Sequence, residues 1–175
     1  MFEKNCYDLI YDEQNGLTPL VVMMCGVAGS GKTTFSQQLE KKGFVRLSID
    51  EEIWSTQGRW GIDFPMEKFE EYRKEAESKL RQRLIHYIHE KQQVVIDFSF
   101  WNRSRRIEYK KLIEEAGGKW KLIYLKVHPD ELRKRLKLRN ERFDANSFPI
   151  SEELLVSYLT GFEVPMGEGE IVVEN

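Results

Sequence analysis

Short runs in which every residue is apolar alternate along this chain with longer segments in which apolar residues recur every three or four positions. A fully apolar run predicts a strand buried on both faces, whereas the longer period predicts a helix with one buried face. The predicted strands are Pro19–Cys25, Phe44–Ser48, Val94–Phe98, Lys121–Val127 and Glu170–Glu174. Strands that alternate with helices indicate an α/β protein with a parallel sheet covered on both faces.

Helices are predicted between these strands. The first carries Phe35 and Leu39 on one face and ends at Gly43, while a long amphipathic helix occupies the stretch from Glu67 to Gln92. The other predicted helices are Arg103–Ala116, a segment that begins at Pro129, and a segment capped by Ser151. No repeat, low-complexity tract or linker interrupts the pattern, which predicts a single domain over residues 1–175. The first 18 residues fit no element and are interpreted as an N-terminal extension.

Composition and charge narrow the class of protein. A chain of 175 residues suits one domain, and a net charge of −2 provides no general attraction to nucleic acid or to an anionic membrane. Cys6 and Cys25 are too far apart for a metal pair and too few for a disulfide framework, which favours a reduced, cytoplasmic setting. The longest apolar run, Leu20–Cys25, cannot span a bilayer, and the acidic first residues do not form a secretory signal. We therefore expect a cytoplasmic protein without a membrane partner.

The segment GVAGSGKTTF follows the first predicted strand and opens the first helix. Four of its residues fit the phosphate-binding pattern G-x-x-x-x-G-K-[ST]: Gly26, Gly31, Lys32 and Thr33. The glycines let backbone N–H groups surround a phosphate, and the helix adds its positive N-terminal end. Lys32 is expected to reach the β- and γ-phosphates, and the Thr33 hydroxyl to ligate Mg²⁺. The remaining predicted nucleotide contacts of the loop are Ala28, Gly29, Ser30 and Thr34. A glycine-rich connecting turn is the alternative, but the strand-to-helix context argues against it.

Acidic residues follow two other predicted strands. LSIDEEIW places Asp50 two residues beyond Ser48, and VVIDF places Asp97 at the end of the third strand. Ligands of doubly wound sheets bind beyond the carboxyl ends of the strands. An acid beside a phosphate loop can hold Mg²⁺-bound water or accept a proton from a nucleophile. The alternatives are a helix cap for Asp50 and a solvated strand end for Asp97.

The loop leaves three fates open for the γ-phosphate: transfer to water, transfer to a hydroxyl, or binding alone. A hydrolase needs a residue that orients water, and no glutamate directly follows Asp97. The guanine-reading sequence N-K-x-D of switch GTPases is also absent from the chain. An aspartate placed as a base for an incoming hydroxyl therefore favours a kinase.

The segment DELRKRLKLRNER is a strongly basic predicted helix. Arg135, Arg139 and Arg142 fall on one stripe, with Leu132 and Leu136 on the opposite side. Such a run is usually a solvated charged face. Beside a phosphate loop, a stripe of guanidinium groups can instead stabilise charge on a transferring phosphoryl group, often from a mobile lid. The predicted lid region is 133–150.

Four segments in this order resemble the P-loop kinases of the nucleoside-monophosphate-kinase-like group: GVAGSGKTT, LSID, VVIDFSFWNRSRR and RLKLRNER. The chain is most similar to the predicted small AAA-type ATP-binding kinases, which are related to polynucleotide 5′-kinases, zeta toxins and chloramphenicol phosphotransferases. The resemblance covers roughly residues 20 to 174. It implies a three-layer P-loop NTPase fold with a five-stranded parallel sheet of order 2-3-1-4-5 and a helical lid.

The resemblance also implies roles for individual residues. Asp50 corresponds to the general base, while Asp97 with Arg106 would face the acceptor. In the R-L-x-x-R motif, Arg135 would lie against adenine and Arg139 on the phosphates. The segment FPISEELLVSYLTGFEVP resembles the uncharacterised branch of the family, which leaves the acceptor open.

The stretch between the expected base and the long helix, residues 54–65, is where such kinases place acceptor contacts. Trp54, Trp60 and Phe64 are candidate stacking walls for a ring, and Arg59 is a candidate contact for an anionic group. A core role under a loop is an equally good interpretation of these aromatic residues.

The favoured function is transfer of the γ-phosphate of ATP, with Mg²⁺, to a hydroxyl of a small-molecule acceptor. The first alternative is a polynucleotide 5′-hydroxyl kinase, since aromatic residues and arginines also suit single strands; the acidic net charge makes a nucleic-acid partner the weaker choice. The second alternative is an ATP-hydrolysing switch or assembly factor without an acceptor.

Overall fold

A parallel sheet of five strands in the order β2-β3-β1-β4-β5 forms the centre of the molecule. The computed structural model describes residues 7–8, 10, 16–142, 144–145 and 149–175. The strands are β1 (Leu20–Cys25), β2 (Val45–Leu47), β3 (Val94–Ile96), β4 (Lys119–Lys126) and β5 (Glu170–Glu174). All four pairings between neighbouring strands are parallel. The predicted fold class and strand order are therefore confirmed.

Six α-helices connect and cover the strands in the described part of the chain. They are α1 (Lys32–Glu40), α2 (Ile49–Gln57), α3 (Phe69–His89), α4 (Arg103–Glu115), α5 (Pro129–Arg139) and α6 (Glu152–Gly161). A 3₁₀ turn, Met66–Lys68, leads into α3. The long helix therefore begins two residues later than the apolar pattern predicts, because its first turn winds more tightly.

Alternate residues of the central strand β1 belong to two separate apolar cores. Val22 and Met24 pack with Phe35 of α1 on one face of the sheet, whereas Val21 and Met23 lie in the core formed with α3 and α4 on the other. The sequence of β1 is apolar at every position because both of its faces are covered. The result is the three-layer arrangement that the sequence pattern predicts.

Two described residues of the N-terminal extension, Tyr7 and Ile10, pack on the α1 side of the sheet. Ile10 is fully buried in the core that contains Phe35 and Leu39. The Tyr7 ring stacks on Phe35 with ring centres 5.0 Å apart. Tyr7 and Ile10 thus extend this core.

The parallel sheet brings the carboxyl ends of β1, β2 and β3 to one edge. The phosphate loop follows β1, Asp50 lies in the first turn of α2 directly after β2, and Asp97 follows β3. The lid side of this edge is built by α5 and α6, where Leu136, Ile150 and Leu155 form a small core against the loop residue Ala28. Within the described ranges, no helix combines the length and apolarity needed to cross a bilayer.

Candidate active site

The loop between β1 and α1 has the geometry of a phosphate cradle. Gly26 has φ +153°, and a Cβ atom there would lie 2.5 Å from the Ser30 Oγ, so only glycine fits. Gly31 has a left-handed backbone (φ 99°) at the start of α1, and no side chain caps that helix. An uncapped helix N-terminus leaves its N–H groups and dipole to an anionic ligand.

The Lys32 side chain folds back over this loop. Its Nζ donates hydrogen bonds to the carbonyl oxygens of Gly26 at 2.8 Å and Val27 at 2.9 Å. Burial lowers the pKa of Lys32, and the negative charge of Asp97 partly opposes that shift. The ammonium group is therefore held at the loop beside a carboxylate.

A cleft of about 1010 Å³ opens over the loop, lined on its floor by Lys32, Thr33, Asp50 and Asp97. Residues of α2, α3, α5 and α6 line its walls, together with the segment after β3. Its volume lies at the upper end of the range of small-molecule sites. It is large enough for a ligand of nucleotide size.

Asp50 does not cap α2. The cap is Ser48, whose side chain accepts a hydrogen bond from the Glu51 N–H at 3.3 Å. Asp50 reaches the cleft and remains accessible from it. The surrounding protein displaces bulk water and raises the pKa of this carboxyl, and the nearby charge of Asp97 raises it further. Arg139 and Lys32 act in the opposite direction, so four charged side chains interact across the floor of the cleft.

Asp97 is held by an arginine that the sequence patterns did not single out. Its Oδ2 accepts hydrogen bonds from Arg46 Nε at 3.1 Å and Nη2 at 2.7 Å, and Arg46 Nη1 donates to Glu51 at 2.6 Å. The side chains of Arg46 and Asp97 are each 3% exposed. A charged residue within a buried strand costs free energy unless it is paired. The arginine inside FVRLS was therefore the signal that could have revealed this contact.

The predicted basic stripe divides between the cleft and the outer surface, and Arg142 lies beyond the end of α5. Arg139 and Arg142 line the cleft. Arg135 lies outside the set of described residues that line it, and its Nε donates to Glu131 at 2.9 Å. The opposite side of the helix packs on the phosphate loop, since a Cβ at Gly29 would lie 3.1 Å from Leu136 Cδ2. Arg139 Nε is buried without a hydrogen-bond partner among the described residues, which fits a role in binding an anionic group.

Arg106 is buried below the cleft and is not among the described residues that line it. Its Nε and Nη2 both donate to the carboxylate of Glu168 at 2.8 Å, and its Nη1 donates to the Phe100 carbonyl oxygen at 2.8 Å. The structure thus places Arg106 behind the segment after β3. The arginine of that helix that reaches the cleft is Arg105.

The predicted acceptor residues also separate into two groups. Trp54, Arg59 and Trp60 line the cleft. Phe64 is buried, with 6% exposure, in a small core with Ile53 and Ala76. The core interpretation therefore holds for Phe64, and the described residues lining the cleft do not include it.

The donor set at the floor of the cleft fits Mg²⁺ bound together with a nucleotide. No group of three or more His, Cys, Asp or Glu residues suited to a metal occurs in the part of the chain that the structure describes. Mg²⁺ keeps several waters and usually takes one or two protein ligands in addition to phosphate oxygens. Thr33 beside Asp50 and Asp97 suits that mode of binding.

The chain belongs to a family of AAA domains, whose pattern matches residues 21–165. The matched range contains the phosphate loop, Asp50, Asp97 and the lid helix α5. Together with the phosphate loop and the sheet order 2-3-1-4-5, this membership defines an α/β P-loop protein. Comparison with curated proteins gives no match.

Solved structures share the fold at low sequence identity. A presumed kinase from Chloroflexus aurantiacus has a TM-score of 0.67 and 20% identity over 90% of this chain and 88% of that one. A gluconokinase from Sinorhizobium meliloti has a TM-score of 0.53 and 22% identity over 90% and 82% of the two chains. A chain of the Pnkp1/Rnl/Hen1 RNA repair complex has a TM-score of 0.66 and 19% identity, with 86% of this chain covering 46% of that one. These likenesses establish the fold.

Proposed function

We propose that this protein is a kinase that transfers the γ-phosphate of ATP to a hydroxyl group of a small molecule. The observation that carries the proposal is the position of Asp50. Ser48 caps α2, so Asp50 is left to face the cleft that also contains Lys32 and Arg139. A carboxylate that does not cap the helix and faces the cleft at this edge of the sheet suits the role of a general base.

The loop and the lid helix would hold the donor phosphates. The backbone of residues 26–33 surrounds the phosphates, and Lys32 supplies a positive charge at the loop. Bound Mg²⁺ supplies further positive charge to the phosphate oxygens, with the Thr33 hydroxyl as its protein ligand. Arg139, whose Nε is buried without a partner in the described structure, would stabilise charge on the transferring group.

Asp50 would act on the acceptor. As the acceptor oxygen bonds to the γ-phosphorus and the bond to the bridging oxygen of ADP breaks, the hydroxyl proton passes to the Asp50 carboxylate. General-base catalysis of this kind typically contributes ~10²–10⁴-fold. Asp97 is held on one oxygen by Arg46, so its carboxylate keeps a defined orientation at the floor of the cleft.

The test of the base is the Asp50→Asn variant. Asparagine keeps the size of the side chain but cannot accept the proton, so transfer should fall ~10²-fold or more while the ATP affinity stays within a few-fold. Calorimetric titration with ATP measures the affinity, and labelled phosphate transfer over a panel of hydroxyl acceptors measures the activity. Full transfer by this variant, or a wild-type protein that hydrolyses ATP and phosphorylates no acceptor, would refute the proposal.

Arg135 and Arg139 of α5 are expected to differ in their effect on kcat. Arg139→Ala should lower kcat by ~10³-fold, the effect typical of arginines that stabilise a transferring phosphoryl group. Arg135, paired with Glu131 at the outer surface, is the matched control from the same helix, and its replacement by Ala should change kcat less than a few-fold. Contact of Arg135 with adenine stays a prediction that its effect on the KM for ATP would test. Equal effects of both variants on kcat would contradict the assignment of Arg139.

A further inference from the structure

Aromatic side chains from several elements surround the part of the cleft outside the phosphate loop. Three of the four tryptophans of the chain line it, together with rings from α3 and α6. The ring-bearing residues of these walls include Trp54, Trp60, Phe69, Trp101, Tyr158 and Phe162. Rings concentrated in this way form surfaces on which a planar group can stack.

Trp101 is the most informative of these rings because it is exposed and held in place. Its residue is 51% exposed, although a tryptophan is normally among the more buried residues. The Trp101 carbonyl oxygen accepts a hydrogen bond from the Glu163 N–H at 2.8 Å. The ring packs so close to Gly161 that a Cβ there would lie 3.4 Å from its Cζ3. A large ring fixed at the mouth of a cleft provides a preformed contact surface.

The cationic groups in the same region are already neutralised by carboxylates. Arg59 pairs with Asp63 at 2.8 Å, and Arg73 pairs with Glu70 at 3.1 Å. Arg105 contacts Glu77, whose side chain is 8% exposed. An anionic acceptor would have to break these pairs or bind beside carboxylates.

Glu77 completes this neutral network. Besides Arg105, its carboxylate accepts a hydrogen bond from Tyr109 Oη at 2.8 Å and lies 3.7 Å from Arg73 Nη1. Two arginines and two glutamates of the wall (Glu70, Arg73, Glu77 and Arg105) therefore carry no net charge. The other lining arginines, Arg139 and Arg142, belong to the lid side beside the expected phosphates.

We infer that the acceptor is an uncharged hydroxyl compound that carries a planar ring, stacked against Trp101. This inference rests on the proposed function and specifies its substrate class. It excludes anionic sugars and 5′-hydroxyl nucleic acid as preferred acceptors, because the described walls opposite the lid side offer rings and arginines that are paired with carboxylates.

The test compares acceptors that differ in one property. The neutral pair is 1-phenyl-1,2-ethanediol and 1,2-propanediol, which differ in the ring. The charge series is a nucleoside, its 3′-monophosphate and a 5′-hydroxyl oligonucleotide. The ring-bearing diol should have a kcat/KM at least ~10-fold above its ring-free partner, and the nucleoside should be at least as good as its 3′-monophosphate. Preference for the ring-free diol, the 3′-monophosphate or the oligonucleotide would overturn the inference.

Variants of the wall provide the second measurement. Trp101→Ala should raise the KM for the ring-bearing acceptor ~10-fold with little change in kcat, and Trp101→Phe should restore much of the loss. Trp120→Phe is the matched control, since Trp120 lies outside the described cleft lining and donates to Glu114. A Trp101→Ala variant with unchanged KM would contradict the inference.

Failure of the inference can be distinguished from failure of the proposed function. Equilibrium dialysis with the non-hydrolysable analogue AMPPNP present measures binding of each probe without transfer. Binding that prefers the neutral ring-bearing probes and weakens in Trp101→Ala would support the ring site even if no probe is phosphorylated. Absence of any such preference in binding would refute the ring site, whether or not transfer occurs.

Discussion

Asp50 and Asp97 illustrate how two carboxylates of one cleft receive different environments. Asp97 is buried and paired with Arg46, whereas Asp50 has no hydrogen-bonded cation among the described residues and faces the cleft. The displacement of bulk water by the surrounding protein and the charge of Asp97 both raise the pKa of Asp50. A cleft carboxyl with a raised pKa is typical of acid–base sites.

The raised pKa of Asp50 predicts the acid limb of the pH profile. A base must be ionised to act, so kcat/KM for ATP should fall as the pH drops through a value above the ordinary aspartate value of about 3.9. Asp97→Asn removes a charge that raises this pKa and should move the limb to lower pH, whatever its effect on the maximal rate. Arg139→Gln removes a charge that lowers the pKa and should move the limb to higher pH. The pH dependence of kcat/KM at saturating acceptor measures both shifts. If the acid limb moved in the same direction in both variants, the assignment of Asp50 as the base would be contradicted.

The buried pair of Arg46 and Asp97 leads to a prediction about stability. Arg46→Met would leave Asp97 buried without its cation, which typically costs about 3–5 kcal/mol. The double variant Arg46→Met with Asp97→Asn should recover most of that loss, because no unpaired charge remains. Urea unfolding of the four proteins in this cycle measures the coupling. Additive effects would show that the contact contributes nothing to the free energy of unfolding.

At the scale of elements, the segment after β3 is shaped by contacts from three directions. Arg106 of α4 donates to the Phe100 carbonyl, the Gly26 N–H donates to Ser99, and the Glu163 N–H donates to Trp101. Phe100 itself has a positive φ of 44°, which is unfavourable for an aromatic residue. The part of the cleft wall that follows β3 therefore depends on buried contacts made behind it.

Arg106 is accordingly expected to position the part of the cleft wall that follows β3 without lining the cleft itself. Arg106→Met removes both hydrogen bonds to Glu168 and the one to Phe100, and a broken buried pair typically costs about 3–5 kcal/mol. The KM for the acceptor should rise ~10-fold or more, whereas the KM for ATP should rise less, since Arg106 contacts the segment after β3 directly and the phosphate loop through the bond from Gly26 to Ser99. Steady-state kinetics with each substrate varied in turn measures the difference. The exposed Arg103→Met is the control, and equal effects on both KM values would contradict a positioning role.

At the scale of the molecule, the cleft joins elements that are distant in sequence. The lid residues Arg139 and Ile150, the loop residue Lys32 and the Trp54 region of α2 line one continuous space. A ligand that binds across such a space stabilises the folded state as a whole.

ATP should therefore raise the unfolding temperature. At a concentration of 100 times its Kd, a ligand adds ~2.7 kcal/mol, which corresponds to roughly 5–11 °C for a chain of this size. Lys32→Ala should abolish most of the increase, and omission of Mg²⁺ should reduce it. Differential scanning fluorimetry measures these shifts, with Lys42→Ala as a control outside the described cleft lining. An equal increase in the Lys32→Ala variant would place the nucleotide elsewhere.

The amino-acid sequence by itself determined the strands, the sheet order through the family resemblance, the phosphate loop, Asp50 and Asp97. The strands and the phosphate loop could be predicted because they depend on local chemistry: apolar runs form buried strands, and a glycine-rich loop between strand and helix surrounds phosphate. The single domain and the cytoplasmic setting stay predictions of the sequence.

Only the tertiary structure decided which charged and aromatic side chains reach the cleft. Arg135 and Arg139 share a helix stripe, yet Arg139 lines the cleft and Arg135 pairs outside it. Arg105 and Arg106 are neighbours in sequence, but Arg105 reaches the cleft and Arg106 is buried against Glu168. Which arginine reaches the cleft depends on partners that are far away along the chain, such as Glu168 for Arg106. Local patterns contain no information about such partners, because packing between elements determines which carboxylate meets which arginine.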